Sequence, residues 1–186
     1  MLGMLKLKTK DKMVSLIIPS YRNPECLDVC LKSAIENQAD INQIIVAVDG
    51  FIEESQTVLD KYKDNIQVLD LGQNQGMQQA LNLGVINASN EIIFIVNDDN
   101  VFCKDWDGVI LDTLKDKEKT VLTLNQIEPI GPGIFKFPVK DFGSNPKEFK
   151  YSEFVEYEKS IKKDTLTVDG GIFPFAMYKK YYMAAG

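Results

Sequence analysis

Two adjacent carboxylates follow a run of apolar residues near the middle of the chain. Residues 91–100 are Glu-Ile-Ile-Phe-Ile-Val-Asn-Asp-Asp-Asn, so Asp98 and Asp99 come directly after residues suited to a buried strand. In open α/β sheets ligands bind beyond the carboxyl ends of the strands, and paired carboxylates there can hold a divalent cation. Taken alone, such a cluster is more typical of a turn or a helix cap.

A third acid, Asp49, stands at the end of another predicted strand, residues 44–48. The first predicted strand, residues 14–19, is followed by a short polar loop. Because the carboxyl ends of parallel strands meet at one edge of a sheet, we expect these groups to share a pocket. Such a pocket could hold a nucleotide, with Asp49 accepting hydrogen bonds from the base or ribose. A cation between Asp99 and a diphosphate would offset the charge that builds on that diphosphate as it leaves a transferred group.

Composition removes several classes of function. The 186 residues include no histidine, which excludes Ser-His-Asp and Cys-His catalysis and leaves carboxylates as the acid/base and metal-binding groups. A net charge of −6 argues against a general nucleic-acid or anionic-membrane binder. The three cysteines fit a reducing compartment, and no apolar run of about 20 residues indicates a transmembrane segment. The Lys-rich residues 1–12 lack the apolar core of a signal peptide, so the sequence predicts a cytoplasmic protein.

Alternating strands and helices predict one α/β domain with a mainly parallel sheet. The predicted strands are residues 14–19, 44–48, 66–71, 91–96 and 120–124, and the predicted helices begin at Pro24, Glu53, Met77 and Asp105. Asn23 is expected to cap the first helix. Gly84, inside the third helix, predicts close packing on a neighbouring element because glycine costs about 1 kcal/mol there against alanine.

The pattern changes beyond Asn125. Residues 128–138 are rich in Pro and Gly and suit an irregular loop or edge hairpin over a site. A helix is predicted from Asn145 to about Lys162, packed on the sheet or covering the site. The last segment, residues 165–186, combines Asp169-Gly170-Gly171 with a dense run of aromatic residues.

Several motifs together resemble the family 2 nucleotide-sugar glycosyltransferases of the GT-A fold, over residues 14–186. Val14-Ser-Leu-Ile-Ile-Pro-Ser-Tyr-Arg-Asn is similar to the family's opening strand and Pro-x-Tyr-Asn turn, and Ile44-Ile-Val-Ala-Val-Asp-Gly to its second strand ending in Asp-Asp-Gly-Ser. Asn74-x-Gly76-x-x-x-Ala80-x-Asn82-x-Gly84, followed by Ala88 and Glu91, resembles its helix signature. The acidic stretch takes the place of the Asp-x-Asp metal motif.

The resemblance implies a GT-A-like, mainly parallel sheet sandwiched by helices, forming a single domain over residues 1–186. Residues 14–124 would be the nucleotide-sugar-binding half and residues 125–186 a partial acceptor-side half. By the same resemblance, the enzyme would bind a UDP-, GDP- or dTDP-linked sugar with Mn²⁺ or Mg²⁺. It would transfer the sugar, with inversion, to the hydroxyl of a saccharide or other acceptor.

Carried over by motif, Asp99 would be the principal metal ligand, and Asp98 would lie by the ribose or donor sugar and assist with the metal. The donor-binding residues implied are Pro19, Tyr21, Arg22, Asp49, Asn74, Gly76, Asp98, Gly170 and Gly171. Three positions depart from the family pattern: Val48 replaces the first Asp of a pair, Asn97 the first acid of Asp-x-Asp, and Leu81 a frequent Arg. Base recognition is therefore expected to differ from the common uridine mode, with less positive charge near the diphosphate.

The carboxyl end resembles the stretch that, in the family, runs into Gly-Gly-Phe-Asp-Glu and then the Glu-Asp motif that holds the general base. The sequence stops before both motifs, so by the resemblance the expected base lies beyond Gly186. This predicts a truncated domain or a natural short form, with Asp169 as the nearest candidate base within the sequence.

A non-catalytic nucleotide-binding or interaction module is the alternative to a transferase. Two other nucleotide-binding classes are disfavoured by the loop after the first predicted strand. Residues 19–23 are neither the Gly-rich, Arg-bearing loop of sugar-phosphate nucleotidyltransferases nor the Gly-x-Gly-x-x-Gly of dinucleotide-binding domains.

Overall fold

The computed structural model describes residues 13–40, 42–130, 138–143, 145–163, 165–168 and 173–185. Strands and helices alternate through most of these residues, as the hydrophobic pattern predicts. The strands are β1 (Val14–Ser20), β2 (Gln43–Val48), β3 (Ile66–Asp70), β4 (Ile92–Ile95), β5 (Leu122–Thr123) and β6 (Phe175–Tyr178). The helices are α1 (Pro24–Asn37), α2 (Ile52–Lys61), α3 (Met77–Asn87), α4 (Trp106–Leu114), α5 (Tyr151–Ile161) and α6 (Lys179–Ala185).

The described strands form one sheet in the order β3-β2-β1-β4-β6-β5. β1 pairs in parallel with β2 and β4, and β2 pairs in parallel with β3. β6 lies between β4 and β5 and is antiparallel to both. The predicted mainly parallel α/β sheet is confirmed, and the carboxyl ends of β1, β2 and β4 come together at one edge.

Helices cover both faces of the sheet because its central strands are apolar on both sides. On one face Leu16 and Phe94 belong to a core that includes residues of α1, α2 and α4. On the other face Ile17 and Ile93 pack with Leu81 of α3. Strands buried on both faces are expected as continuous apolar runs, which is the pattern of β1, β2 and β4.

Gly84 lies where α3 crosses β1, and the predicted close packing is confirmed. A Cβ atom built on Gly84 would lie 2.5 Å from Cγ2 of Ile17. Only glycine therefore fits between α3 and the buried side chain of Ile17, which is fully enclosed. The position of α3 matters to the site because α3 begins at the carboxyl edge of the sheet.

Two local predictions are wrong, and one predicted strand is present but shorter than expected. Asn23 does precede α1, but its side chain makes no capping hydrogen bond. The predicted helix from Asn145 begins instead at Tyr151, because Asn145 Oδ1 accepts hydrogen bonds from the backbone N–H groups of Lys147 and Glu148 and holds a turn there. The fifth strand is limited to Leu122–Thr123.

In the part of the chain that the structure describes, no helix is both long and apolar enough to span a bilayer.

Candidate functional site at the carboxyl edge of the sheet

A cleft of about 310 Å³ opens at the carboxyl ends of β1, β2 and β4. It is bounded by the loop after β1, by the end of β2, by the start of α3 and by the acidic stretch after β4. Most of the residues that the sequence predicts for donor and metal binding meet there. The lining consists of Pro19, Ser20, Tyr21, Asp49, Asn74, Gly76, Met77, Asn97, Asp98 and Asp99.

Asp98 is the half-buried acid of the cleft and is fixed from both sides. Its Oδ2 accepts a 2.7 Å hydrogen bond from Oγ of Ser20, and its Oδ1 accepts a 3.1 Å bond from Nδ2 of Asn23. Burial raises the pKa of the Asp98 carboxyl, the bonds from Ser20 and Asn23 oppose that rise, and the charge of Asp99 adds to it. Asp98 is thus an oriented carboxylate that a nearby positive charge would stabilise.

Asp99 differs from its neighbour because its side chain is exposed. No donor among the described residues forms a hydrogen bond with its carboxylate. The backbone around it is nonetheless ordered as a turn, since the N–H of Asn97 donates to Oδ1 of Asn100 at 3.0 Å. Residues 97–100 therefore form a turn that presents the carboxylate of Asp99 to the cleft. A turn and a ligand-binding site can thus be formed by the same residues.

Asp49 holds the loop between β3 and α3. It is only 4% exposed, and its Oδ1 and Oδ2 accept hydrogen bonds from the backbone N–H groups of Gln75 at 2.6 Å and Gly76 at 3.0 Å. A carboxylate has about four acceptor positions, so bonds to a ligand remain available to Asp49. In the structure, Asp49 holds the loop of residues 72–76 against the end of β2 through these two hydrogen bonds. The predicted contact with a base or ribose stays a prediction.

Gly50 allows the same loop to approach β2 closely. Its φ is +86°, and a Cβ atom there would lie 2.7 Å from the backbone nitrogen of Asn74. A side chain at Gly50 would be strained by the backbone and would push the loop away. Asp49 and Gly50 together set the position of Asn74 in the cleft.

Arg22 does not line the cleft, although the sequence predicts it among the donor-binding residues. Its Nη2 lies 2.9 Å from Oε1 of Glu54, its Nε donates to Oε2 of the same residue at 3.1 Å, and its guanidinium carbon is 4.6 Å from the ring centre of Phe51. The positive charge nearest the cleft on the β1–α1 loop is therefore directed to α2. Among the residues that the structure describes, no Lys or Arg contributes to the cleft lining.

Asp49, Asp98 and Asp99, with no cationic side chain beside them in the described part of the lining, give the cleft a negative potential. The carboxylates alone supply only part of the ligands that a divalent metal needs. Within the described ranges no group of three or more His, Cys, Asp or Glu side chains could hold a metal ion. Mg²⁺ is commonly held by one or two carboxylates with substrate phosphates and water completing its shell. Asp98 and Asp99 supply that number of acids, so the site fits a cation that arrives with a phosphate ligand.

The acceptor-side residues named from the sequence lie outside the described residues. They are Asp169, Gly170, Gly171 and Gly186. Asp169 as candidate base, a family base beyond Gly186, and donor contacts from Gly170 and Gly171 all stay predictions.

The structure also adds residues that the sequence reasoning missed. Ser20 and Asn23 orient Asp98 by hydrogen bonds. Their position in the polar loop that follows the first apolar run could have indicated this role. Met77 enters the lining as the first residue of α3 and is 55% exposed, which its apolar character did not predict.

Comparison with known proteins identifies the family of this chain. The model of the glycosyl transferase family 2 matches residues 15–185. Glycosyltransferase GlyG of Streptococcus pneumoniae serotype 4 is 25% identical over 118 residues, which cover 62% of this chain and 39% of that protein. The poly-beta-1,6-N-acetyl-D-glucosamine synthase of Staphylococcus epidermidis is 25% identical over 108 residues, covering 57% of this chain and 26% of that protein. The chain thus spans well under half the length of these curated relatives.

Solved structures show the same fold. TarS residues 1–349 of S. aureus, in complex with UDP-GlcNAc, superposes with a TM-score of 0.61 at 16% identity, covering 93% of this chain and 47% of that one. The mannosyltransferase PcManGT of Pyrobaculum calidifontis, in complex with GDP-Man and Mn²⁺, gives a TM-score of 0.54 at 15% identity, covering 61% and 35%. With a family match over residues 15–185 and a GT-A type sheet that gathers acids at one edge, the chain belongs to glycosyl transferase family 2.

Proposed function

We propose that the cleft binds a nucleotide-diphosphate sugar together with Mn²⁺ or Mg²⁺, and that the sugar is transferred to an acceptor hydroxyl with inversion. The observation that carries the proposal is the meeting of Asp49, Asp98 and Asp99 in one cleft, whose lining within the described ranges contains no Lys or Arg. A diphosphate is itself anionic and would be repelled by these acids. A divalent cation between the two reverses that balance, so donor binding is expected to depend on the metal.

The roles divide between the two neighbouring acids and the loop. Asp99, exposed and unengaged, would hold the cation, and Asp98, oriented by Ser20, would contact the ribose or donor sugar and assist with the cation. Asn74 and Gly76 would contact the donor from the loop that Asp49 fixes. When bound, the cation would offset the negative charge that builds on the departing diphosphate. The UDP-GlcNAc complex of TarS and the GDP-Man and Mn²⁺ complex of PcManGT support this choice of ligands.

Transfer needs a base on the acceptor side. As the acceptor oxygen of a saccharide or other hydroxyl compound bonds to the anomeric carbon, the bond to the diphosphate breaks and a carboxylate takes the hydroxyl proton. Attack on the face opposite the leaving group inverts the anomeric configuration. Asp169 remains the candidate base, and UDP, GDP and dTDP remain the candidate nucleotides.

Asp99→Ala tests the metal role directly. We expect the variant to lose the metal-dependent part of nucleotide affinity, because it removes the exposed cation ligand. Unfolding free energy should stay within about 0.5 kcal/mol of the wild type, since an exposed acid away from packed features contributes little. Calorimetric titration of UDP, GDP and dTDP, with Mn²⁺ and with EDTA, measures the first quantity, and urea unfolding measures the second.

Asp112→Ala is the matched control, because Asp112 is an exposed acid on α4 whose side chain is 85% accessible. It should bind nucleotide like the wild type. Equal affinity of wild type and Asp99→Ala at saturating Mn²⁺ would contradict the metal assignment. Donor binding without sugar transfer to any acceptor or to water would favour the alternative of a non-catalytic nucleotide-binding module.

A further inference from the structure

The exposed carboxylate of Asp99 depends on its neighbours for its position, because no donor in the described ranges bonds to it. On its amino side, Asp98 is held by hydrogen bonds from Ser20 and Asn23. On its carboxyl side, the next residue fixed by the fold is Phe102, three positions later in the chain. The two ends of the acidic turn therefore decide where the carboxylate of Asp99 lies.

Phe102 is fixed through its ring and through both of its backbone polar groups. It is 6% exposed, and its ring centre lies 6.1 Å from that of Phe94 and 5.1 Å from that of Trp106. Its N–H donates to Oγ of Ser33 at 3.1 Å, and its carbonyl oxygen accepts from Nδ2 of Asn37 at 3.2 Å. Two side chains of α1 thus hold the backbone at the carboxyl end of the acidic turn.

Ser33 places a hydroxyl on the buried face of α1, where Leu31 and Ala34 are fully enclosed. Burying a hydroxyl costs free energy unless hydrogen bonds compensate for the lost water. The Oγ of Ser33, which is 3% exposed, donates to the carbonyl oxygen of Cys30 at 3.0 Å and accepts from the N–H of Phe102. An apolar residue would pack on this face equally well, so what the hydroxyl adds is its bond to Phe102.

Asn37, the last residue of α1, joins the same stretch to α5. Its Nδ2 lies within hydrogen-bonding distance of the carbonyl oxygens of Ser33 and Phe102 and of Oη of Tyr151, the last at 2.6 Å. Its own carbonyl oxygen has no partner within the helix and accepts from the N–H of Asp105 at 2.7 Å. The amide of Asn37 is therefore held in place by contacts from three separate segments.

We propose that Ser33 and Asn37 are positioning residues of the proposed metal site, and that they act on Asp99 by holding the backbone of the acidic turn. This inference rests on the proposed function, because it concerns the cation of that function. Neither side chain belongs to the described lining of the cleft, so neither is assigned a contact with the cation or the nucleotide. Groups outside the coordination shell fix the orientation of metal ligands, and losing one commonly lowers metal affinity about 10–100-fold.

Ser33→Ala is the primary test, and Ser15→Ala is its matched control. Ser15 is fully buried near the amino end of β1, at the edge of the sheet opposite the cleft. Its Oγ also makes two hydrogen bonds, donating to Oε1 of Gln43 at 2.7 Å and accepting from the N–H of Asn90 at 3.2 Å. Each variant therefore removes one buried hydroxyl with two hydrogen bonds. Urea denaturation should show similar losses in the free energy of unfolding for both.

The two variants should differ in metal binding. Ser33→Ala should lower the Mn²⁺ affinity of the nucleotide complex about tenfold, the lower end of the range for such groups, and Ser15→Ala should leave it at the wild-type value. The electron paramagnetic resonance signal of free Mn²⁺ measures this affinity with UDP, GDP or dTDP, and nucleotide without protein gives the background. Asn37→Ala should follow Ser33→Ala.

Ser33→Thr separates the hydroxyl from the packing of α1. A threonine Oγ1 can bond the carbonyl oxygen three residues earlier in a helix, as Oγ of Ser33 does with Cys30. The added methyl group at this buried position should lower stability, because overpacking is destabilising. Mn²⁺ affinity should nevertheless be retained, since the acceptor for the N–H of Phe102 is still present. A less stable protein with wild-type Mn²⁺ affinity is a result that a purely structural role of Ser33 does not explain.

Wild-type Mn²⁺ affinity in Ser33→Ala, or an equal loss in Ser15→Ala, would overturn the inference and leave the proposed function standing. A loss in Ser33→Thr as large as that in Ser33→Ala would overturn it as well. Failure of the wild type to bind Mn²⁺ with any of the three nucleotides would refute the proposed function itself, and the inference would fall with it.

Discussion

At the scale of one residue, the ionised carboxylate of Asp98 lowers the stability of the folded protein. Its carboxylate is half-buried beside a second carboxylate, and burial raises its pKa despite the hydrogen bonds from Ser20 and Asn23. At neutral pH the ionised group is therefore less favourable in the folded protein than in the unfolded chain. Under the proposed function such a group would be retained for what it binds, which is the common trade between stability and activity.

Asp98→Asn should reveal this cost through pH. A raised folded-state pKa means that the favourable contribution of Asp98 is complete below the unfolded pKa and is lost as pH rises through the folded one. Asparagine has no such dependence. We expect the variant to gain stability relative to the wild type at pH 7 and to lose that gain as pH falls towards the unfolded pKa of an aspartate. Melting temperatures in EDTA over this range measure the difference.

Ser20→Ala serves as the control for Asp98. It removes a hydrogen bond that lowers the pKa of Asp98, so the pH-dependent loss of stability should extend to higher pH. A stability difference between wild type and Asp98→Asn that stays constant across the range would show that the charge of Asp98 is not opposed by the fold.

At the scale of elements, the sequence predicts the strands and helices themselves but not the hydrogen bonds that join residues distant in the chain. The central strands follow from continuous apolar runs, and the acids that end β2 and β4 follow from their place after those runs. The hydrogen bonds that Asp49 accepts from Gln75 and Gly76 could not be predicted in this way. They join residues far apart in the sequence, and no sequence pattern relates them. Asn23 is a similar case: it has the composition of a helix cap, but the tertiary fold directs its amide to Asp98 instead.

The carboxyl-terminal elements escaped prediction for another reason. Residues 175–178 are Phe-Ala-Met-Tyr, which neither alternate in polarity nor stand between turn signals. Their strand conformation comes from pairing with β4, where Ile92 faces Tyr178, and with β5. Sequence reasoning identified the aromatic segment but had no local pattern from which to derive a strand.

Gly84→Ala should destabilise the protein although alanine is the better helix former. The new Cβ would lie 2.5 Å from Cγ2 of the enclosed Ile17, and overpacking of this kind costs about 1–3 kcal/mol, against a propensity gain of about 1 kcal/mol. We expect a net loss of up to about 2 kcal/mol in the free energy of unfolding, measured by urea denaturation.

Gly108→Ala is the matched change in α4. The atoms nearest to its added Cβ would be those of the Asp105 side chain, which is exposed and can turn away. This variant should be neutral or more stable by up to about 1 kcal/mol. If both variants change stability alike, helix propensity rather than the contact with Ile17 governs position 84.

At the scale of the whole molecule, the cleft predicts a joint requirement for nucleotide and cation. Under the proposed function each ligand alone would leave a charge unbalanced: the cation would lack the phosphate oxygens that complete its shell, and the diphosphate would face carboxylates. A ligand that binds only the folded state at about 100 times its Kd stabilises that state by about 2.7 kcal/mol. For a chain of this size that corresponds to a rise of about 5–10 °C in melting temperature.

Thermal shift with Mn²⁺ alone, with UDP or GDP alone, and with both therefore tests the site without an acceptor. The full rise is expected only with both, and Asp99→Ala should abolish it while Asp112→Ala should not. An equal rise with nucleotide in EDTA would contradict the proposed charge balance.

The position of β6 has a consequence for how the protein is made. β4, the strand that precedes Asp98 and Asp99, is paired on one side with β1 and on the other with β6, which comes some 80 residues later in the chain. Synthesis proceeds from the amino terminus, so a growing chain completes all of the acidic cleft's strands while Ile92–Ile95 still has one open, strongly apolar edge. An open edge of this kind readily pairs with other chains. Translation of the segment that forms β6 therefore does more than extend the sheet: it protects the newborn protein from self-association.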